Sequence, residues 1–337
     1  MLSLEECLSG INDEMRTSKK DVWKNQMQTN KPLTSFGRLE QIGYQMSRII
    51  GINRKKINKT IVVFAGDHGV AEMDLSVYKQ SQTRKVVCYL SEGKTPLNKI
   101  ANQFNVEIQC IDVGLNGLVE RPGILNRKIR NGTNNIYKED AMTEEDVIQA
   151  IEVGIEIAEL CKKSDIHIVA LGEIGIGNTI SASALTAVLC GLSPDEVTDQ
   201  KTGIVGQTLQ KKEEVIAAVI ERCLSFENTP LMLLAKAGGY EICGDVGFIL
   251  GCAKNKIAIV LDGFITGAAA LVANRIHSDV THYLIASHKS AEPGHQSILK
   301  ALGLNPILDL GMRYGLSTGA ATALPLCEIA YALTNEM

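Results

Sequence analysis

DIHIVALGEIGIGNTISASALTAVLCG, from Asp165 to Gly191, reads as a strand, a glycine turn and a helix in succession. Ile166 to Leu171 is an apolar, β-branched run of the kind that fills a buried strand. Gly172, Gly175 and Gly177 follow, and an Ala/Ser/Leu-rich helix opens after Asn178-Thr179. Glycines let a backbone come close to a ligand, and the free N–H groups at a helix start attract anions. The order G-E-x-G-x-G-N-T is neither the dinucleotide fingerprint nor a P-loop, because the glycine spacing differs and no G-K-[ST] follows. An ordinary strand-to-helix turn has the same pattern; the carboxylate of Glu173 at the strand end favours a functional turn.

Outward from this stretch, the same unit recurs. Thr60–Ala65 ends in Gly66-Asp67-His68-Gly69, and Val106–Val113 ends in Gly114-Leu115-Asn116. Lys256–Leu261 ends in Asp262-Gly263, and Tyr283–Ala286 ends in Ser287-His288. Thr143 followed by Asp146 marks a helix start, with helical spacing from Val147 to Leu160. Gln207–Cys223, the segment opened by Gly238-Gly239, and Gly319–Leu333 also read as helices, whereas 117–142 and 192–206 read as irregular. Strands that alternate with helices predict an α/β fold with a parallel sheet, Rossmann-like, whose ligand lies beyond the carboxyl ends of the strands. Residues 59–318 form the large domain in this reading. Residues 1–58 read as helices and, with the C-terminal helix region (319–337), form a small helical domain.

The 337 residues are 45% hydrophobic and 21% charged, with net charge −4. No basic run and only 4% aromatics argue against nucleic acid. The acidic start MLSLEECLSGINDEM lacks the pattern of a signal peptide. Lys254, Lys256 and Asp262 interrupt the most apolar region, which argues against a membrane span. Nine scattered cysteines without C-x-x-C fit reduced core thiols and a cytoplasmic location. Asp67-His68 and His288 with His295 are possible metal ligands, but no H-E-x-x-H or cysteine cluster supports a metal, and no G-x-S-x-G supports a serine nucleophile. The cleft inventory, completed by Glu173, Asn178, Lys212, Lys289, Ser290 and Glu292, suits a phosphorylated, ribose-bearing small molecule. It does not fix the reaction.

Several strings, in order along nearly the whole chain, resemble the nicotinate-nucleotide–dimethylbenzimidazole phosphoribosyltransferase family. They are KPLTSFGRLE (31–40), AGDHGVAEMDLSVYKQSQT (65–83), GTNN (132–135), GEIGIGNT (172–179), GGYEI (238–242), LDGF (261–264), SHKSAEPGH (287–295) and DLGMRYGLSTGAATALP (309–325). The resemblance implies transfer of phosphoribose from nicotinate mononucleotide to the lower-ligand base of a cobamide, by a dimer with no metal or organic cofactor. By position it assigns Gly175, Gly177, Asn178 and Thr179 to the nucleotide, Glu173 to the ribose and Lys212 to the phosphate, with Asp262, Ser290 and Gly294 in the same site. Tyr78, Lys85, Gly315 and Leu316 fall to the acceptor.

The chain departs from the family at Leu316. The family reads G-E-G-T-G-A in this turn, with the glutamate as general base, and here the turn is Gly315-Leu316-Ser317-Thr318-Gly319-Ala320. A positioned base is typically worth about 10²–10⁴ in rate, and leucine accepts no proton. Lys85 replaces an expected glutamine, a cation that would favour an anionic or phenolic acceptor. Leu33-Thr34, Asp199-Gln200-Lys201 and Val205-Gly206 also break family patterns. Three readings follow. The chain is an ordinary transferase using another base or water; a transferase with a phenol or p-cresol acceptor in a pair of non-identical subunits; or a subunit, inactive alone, that supports a paralogue. The sequence favours a phenol-linked heterodimer in which this chain is weakly active or inactive by itself.

Overall fold

The computed structural model describes residues 2–12, 15–29, 31–32, 34–198, 206–225 and 229–335. Its centre is β1 (Lys59–Gly66), in which every residue after Lys59 is buried. β1 pairs in parallel with β2 (Glu107–Gly114) on one side and with β4 (Ile168–Ile174) on the other. β3 (Ile124–Asn126) extends the β2 edge, and β5 (Ala258–Leu261) and β6 (Leu284–Ala286) extend the β4 edge, all parallel. The order is β3-β2-β1-β4-β5-β6. The chain grows outward in one direction from β1 and then returns to its other side, so the order reverses between β1 and β4. Carboxyl-end loops diverge at such a switch point and leave a crevice. GDHG follows β1 there, opposite GEIGIGNT.

Both faces of a parallel sheet need covering, and here apolar helices do it. The Tyr240–Asn255 helix, buried from Tyr240 to Ala253, packs against β1, β2, β4 and β5. Phe248 meets Phe64 of β1 edge-to-face at 5.9 Å between centroids. This helix lies so close to the Glu144–Lys163 helix that a Cβ on Gly247 would sit 1.8 Å from the Ile151 carbonyl oxygen, and one on Gly154 would sit 2.1 Å from that of Gly244. The Glu144–Lys163 helix starts where Thr143 and Asp146 form a reciprocal capping box, as their spacing predicts.

The Arg38–Ile50 helix packs along the Thr318–Thr334 helix. Asn25 donates to the Thr334 carbonyl at 3.0 Å, and Asn335 donates to Ser47 Oγ at 2.8 Å. The two termini therefore meet, and the final helix also rests on β4 and β5. The sequence leaves β3 inside an irregular region, because three residues carry no readable period. β4 runs past Leu171 to Ile174, and the ladder holds Gly172, Glu173 and Ile174 opposite Val63, Phe64 and Ala65. A glycine inside this strand has a steric reason: a Cβ on Gly172 would lie 2.4 Å from the Ser317 nitrogen.

Gly247→Ala forces a methyl into the Ile151 carbonyl. The expected outcome is a loss of about 1–3 kcal/mol, the usual cost of overpacking, read as a lower urea midpoint at unchanged slope.

Candidate active site

A cavity of about 410 Å³ opens at the carboxyl ends of β4 and β5. Glu173 stands at its floor, 6% exposed, and accepts from the Asn178 side-chain amide. The following turn is self-braced: Asn178 N–H donates to the Gly175 carbonyl at 3.0 Å, and Ile176 N–H donates to Thr83 Oγ1 at 3.1 Å. Gly177, at φ +106°, lets the chain reverse into the Asn178–Cys190 helix.

Asp262, just after β5, builds the opposite wall. Its Oδ1 accepts from the N–H groups of Gly319 (2.7 Å) and Ala320 (3.1 Å), and its Oδ2 accepts from Ser317 N–H (3.1 Å). These are orphan donors at the start of the Thr318–Thr334 helix, so Asp262 caps that helix from another part of the chain. The cap fixes the preceding turn, in which Leu316 and Ser317 both hold left-handed φ, +54° and +60°. Leu316 is 2% exposed and lines the cavity. A Cβ on the neighbouring Gly315 would lie 4.0 Å from Glu173 Oε1, so the turn and the floor carboxylate are adjacent.

The lining divides by chemistry. Val86, Ile174, Ile176, Phe264, Ile265 and Leu316 form an apolar wall, with Tyr78 and Tyr314 at the mouth. Glu173, Asn178, Thr179, Asp262, Ser290 and Glu292 form a polar one, completed by His288 and Arg313. Beneath it lie further buried acids. Burial, and then Glu241 and Asp262, push the Glu173 carboxyl well above the ordinary range. Burial does the same to Asp245, helped by Glu173, Glu241 and Asp262. Neither carboxylate oxygen of Asp245 has a hydrogen-bond partner among the described residues. Burial also raises Asp262, against the lowering effect of His288 and the three backbone donors.

Of the residues singled out from sequence, Glu173, Gly175, Asn178, Thr179, Asp262, Ser290, Tyr78, Gly315 and Leu316 line this cavity. Gly177 supports it from behind, 3.0 Å from His68 Cβ if given a Cβ. Gly294 is packed against Phe264 rather than lining the space. Lys212 is buried on the Gln207–Leu224 helix and does not line it, although its neighbour Lys211 is exposed and paired with Glu214. Lys85 is exposed on the Ser81–Ser91 helix, whose Gln82 and Val86 face the cavity instead. The departures at Leu33 and at 199–205 lie outside the described residues. Gln82, Arg313 and Tyr314 join the lining without a sequence signal of their own; the last two sit inside DLGMRYG, and no period marks them. Of the imidazoles considered as metal ligands, two serve internal bonds, while His288 lines the cavity and its Nδ1 has no hydrogen-bond partner among the described residues. His68 meets Glu241, and His295 Nδ1 accepts from Ser290 N–H at 3.0 Å. Burial holds His295 neutral, down to about 3.

Comparison with known proteins agrees along the whole length. The family profile described as Phosphoribosyltransferase matches residues 11–337. The chain is 38% identical, over 339 residues, to the nicotinate-nucleotide–dimethylbenzimidazole phosphoribosyltransferase of Halalkalibacterium halodurans, covering 100% of this chain and 95% of that one. It is 42% identical over 309 residues to the protein of the same name from Geobacter sp. (strain M21), covering 91% and 88%. The crystal structure of CobT from Thermus thermophilus superposes with a TM-score of 0.88 at 35% identity, covering 94% of this chain and 95% of that one.

Asp245→Asn tests the buried acid cluster. Folding raises the proton affinity of Asp245, so its protonated form stabilises the fold at low pH. That contribution is lost as pH rises from about 4, the unfolded value, through the raised folded value. The variant is therefore expected to match wild-type stability at acid pH and to exceed it increasingly as pH rises. The gain is about 1.4 kcal/mol for each tenfold by which folding strengthens proton binding, checked by thermal melts from pH 5 to 9.

Proposed function

This chain belongs to the nicotinate-nucleotide–dimethylbenzimidazole phosphoribosyltransferase family, whose reaction serves cobamide lower-ligand synthesis, and we propose that it acts on nicotinate mononucleotide and a phenolic acceptor as one subunit of a pair. The observation that carries this reading is one cavity lined both by the polar groups of Glu173, Asn178 and Thr179 and by the apolar side chains of Val86, Phe264 and Leu316. The phosphoribosyl group lies on the polar side. Glu173 and Asn178 accept and donate to ribose hydroxyls, and Thr179 and Arg313 face the phosphate. The aromatic acceptor lies against Val86, Phe264 and Leu316.

In the transfer, an acceptor atom bonds to the ribose C1′ as the bond from C1′ to the pyridinium nitrogen breaks. Nicotinate leaves with that electron pair, and the acceptor sheds a proton. Leu316 takes no proton. A phenol, with a pKa of about 10 on the tyrosine scale, releases its proton to water more readily than an azole N–H does. Lys85 lies outside the cavity lining, so the phenol reading rests on Leu316 and the apolar wall and not on a cation beside the acceptor. Tyr78 and Tyr314 at the mouth are 64% and 57% exposed, and the neighbouring Val77 is 61% exposed. A concentrated apolar rim of this kind marks a contact surface. It supports a dimer, with a second copy or with a paralogue that carries the turn glutamate, in a cytoplasmic enzyme. Among the described residues, no helix is long and apolar enough to cross a membrane.

Glu173 favours a second reading. It lies beside the turn where the family base stands, and its raised proton affinity makes its ionised form a stronger base than an ordinary carboxylate. With Glu173 as base, the isolated chain is fully active on dimethylbenzimidazole, and its rate rises with pH as Glu173 ionises.

The deciding assay follows nicotinate release from nicotinate mononucleotide, using the purified chain with dimethylbenzimidazole, adenine, phenol or p-cresol, alone and with a glutamate-bearing paralogue. The expected result is little turnover alone, turnover of phenol or p-cresol in the pair, and a gain of about 10²-fold or more on azoles from Leu316→Glu. Full turnover of dimethylbenzimidazole by the isolated chain, lost in Glu173→Gln, overturns the paired reading in favour of the second.

A further inference from the structure

We infer that His68 is a positioning residue for the nucleotide-binding turn, acting through a buried Ser181–His68–Glu241 strut. The inference rests on the reading of the cavity as a nucleotide site. All three side chains are fully buried. His68 Nε2 meets Glu241 Oε1 at 2.5 Å, and His68 Nδ1 meets Ser181 Oγ at 3.2 Å. Ser181 Oγ also donates to the Gly238 carbonyl at 3.3 Å. Both ring nitrogens are therefore engaged and the imidazole cannot turn.

The strut fills the space directly under the turn. A Cβ on Gly175 would lie 2.9 Å from Glu241 Oε1, one on Gly177 would lie 3.0 Å from His68 Cβ, and one on Gly239 would lie 2.4 Å from His68 Cε1. Three glycines thus yield their side-chain volume to one imidazole–carboxylate pair. Gly175 is itself a wall of the cavity. The strut joins the loop after β1 to the Asn178–Cys190 and Tyr240–Asn255 helices. The His68 backbone carbonyl also accepts from the Gln80 side chain at 3.3 Å, ahead of the helix that carries Gln82 and Val86. A carboxylate with no exposure depends on its partner to remain in place. When the imidazole is removed, Glu241 shifts and the 175–178 backbone loses the surface it lies on. The acceptor wall is held at its other points and keeps its shape.

The variants are His68→Leu, which removes both ring bonds at similar volume; His68→Gln, whose amide reaches Glu241; and Ser181→Ala, which removes the bonds to His68 and to the Gly238 carbonyl and leaves the His68–Glu241 pair. The readouts are the dissociation constant for nicotinate mononucleotide by calorimetry, that for p-cresol, and amide exchange at residues 174–180. His68→Leu is expected to weaken nucleotide binding by at least about tenfold and Ser181→Ala by about fivefold, the scale of lost buried hydrogen bonds. Acceptor binding stays within about twofold of wild type, within the spread of near-neutral contacts, and His68→Gln recovers most of the loss. Exchange at 174–180 rises while the centre of β4 stays protected.

Equal weakening for both ligands, or no recovery in His68→Gln, would mean a general fold defect and overturns the proposal. Should His68→Leu fail to fold, Ser181→Ala with unchanged nucleotide binding and unchanged exchange overturns it alone. Wild type that binds no nicotinate mononucleotide defeats the functional reading, and the exchange comparison then still decides the strut.

Discussion

The site depends on one buried carboxylate. Asp262 leaves the end of β5 and gathers the N–H groups of Ser317, Gly319 and Ala320. An unpaired buried donor costs about 1–3 kcal/mol, so three satisfied at once make this junction expensive to open. The cap docks the C-terminal helix on the sheet, and the docked helix holds Leu316 over the floor set by Glu173. The left-handed pair Leu316-Ser317 persists because the cap on one side and Gly172 on the other leave no alternative path.

The electrostatic character of the site follows from the same crowding. Glu173, Glu241, Asp245 and Asp262 share one buried region, and burial, followed by the neighbouring acids, raises the proton affinity of Glu173 and Asp245. Asp262 has backbone amides as strong partners, and Glu241 has His68. Glu173, beside the Gly315-Leu316 turn, is thus a carboxylate whose protonation its surroundings control.

Much of this was legible in the sequence, for local reasons. The β-branched runs, the Thr143/Asp146 capping box and the glycine clusters at strand ends are short-range signals, and they point to the parallel α/β fold and the cleft. The family strings added the readings of the Gly172–Thr179 turn and of Leu316 that the proposed function takes up. What was not legible is long-range. Asp262 reads as part of the nucleotide site from its strand-end position; it lines the cavity, and its oxygens also hold a helix start 55 residues further on. Lys85 reads as an acceptor contact, but one residue on a helix is a turn of about 100°; Val86 faces inward and Lys85 faces water. Lys212 reads as a phosphate ligand, and the structure buries it on its helix outside the cavity lining while Lys211 beside it is not buried. Arg313 and Tyr314 belong to a loop with no period at all.

The pairing of Lys59 with Ile168 sets an order of events during synthesis. β1 leaves the ribosome early and has only β2 beside it, with β3 beyond, until the Asp165–Gly191 stretch emerges. Such distant parallel pairing carries a large loop-closure cost and is slow. The cavity comes later still, because the amides that Asp262 gathers belong to the final helix. A chain stopped short of Ser317 would own the sheet and the glycine turns and still lack the amides that hold Leu316 against the cavity. Loss of the C-terminal helix therefore threatens the cavity before it threatens the sheet, and an exposed β1 edge awaiting its partner is where a nascent chain is most open to misassociation.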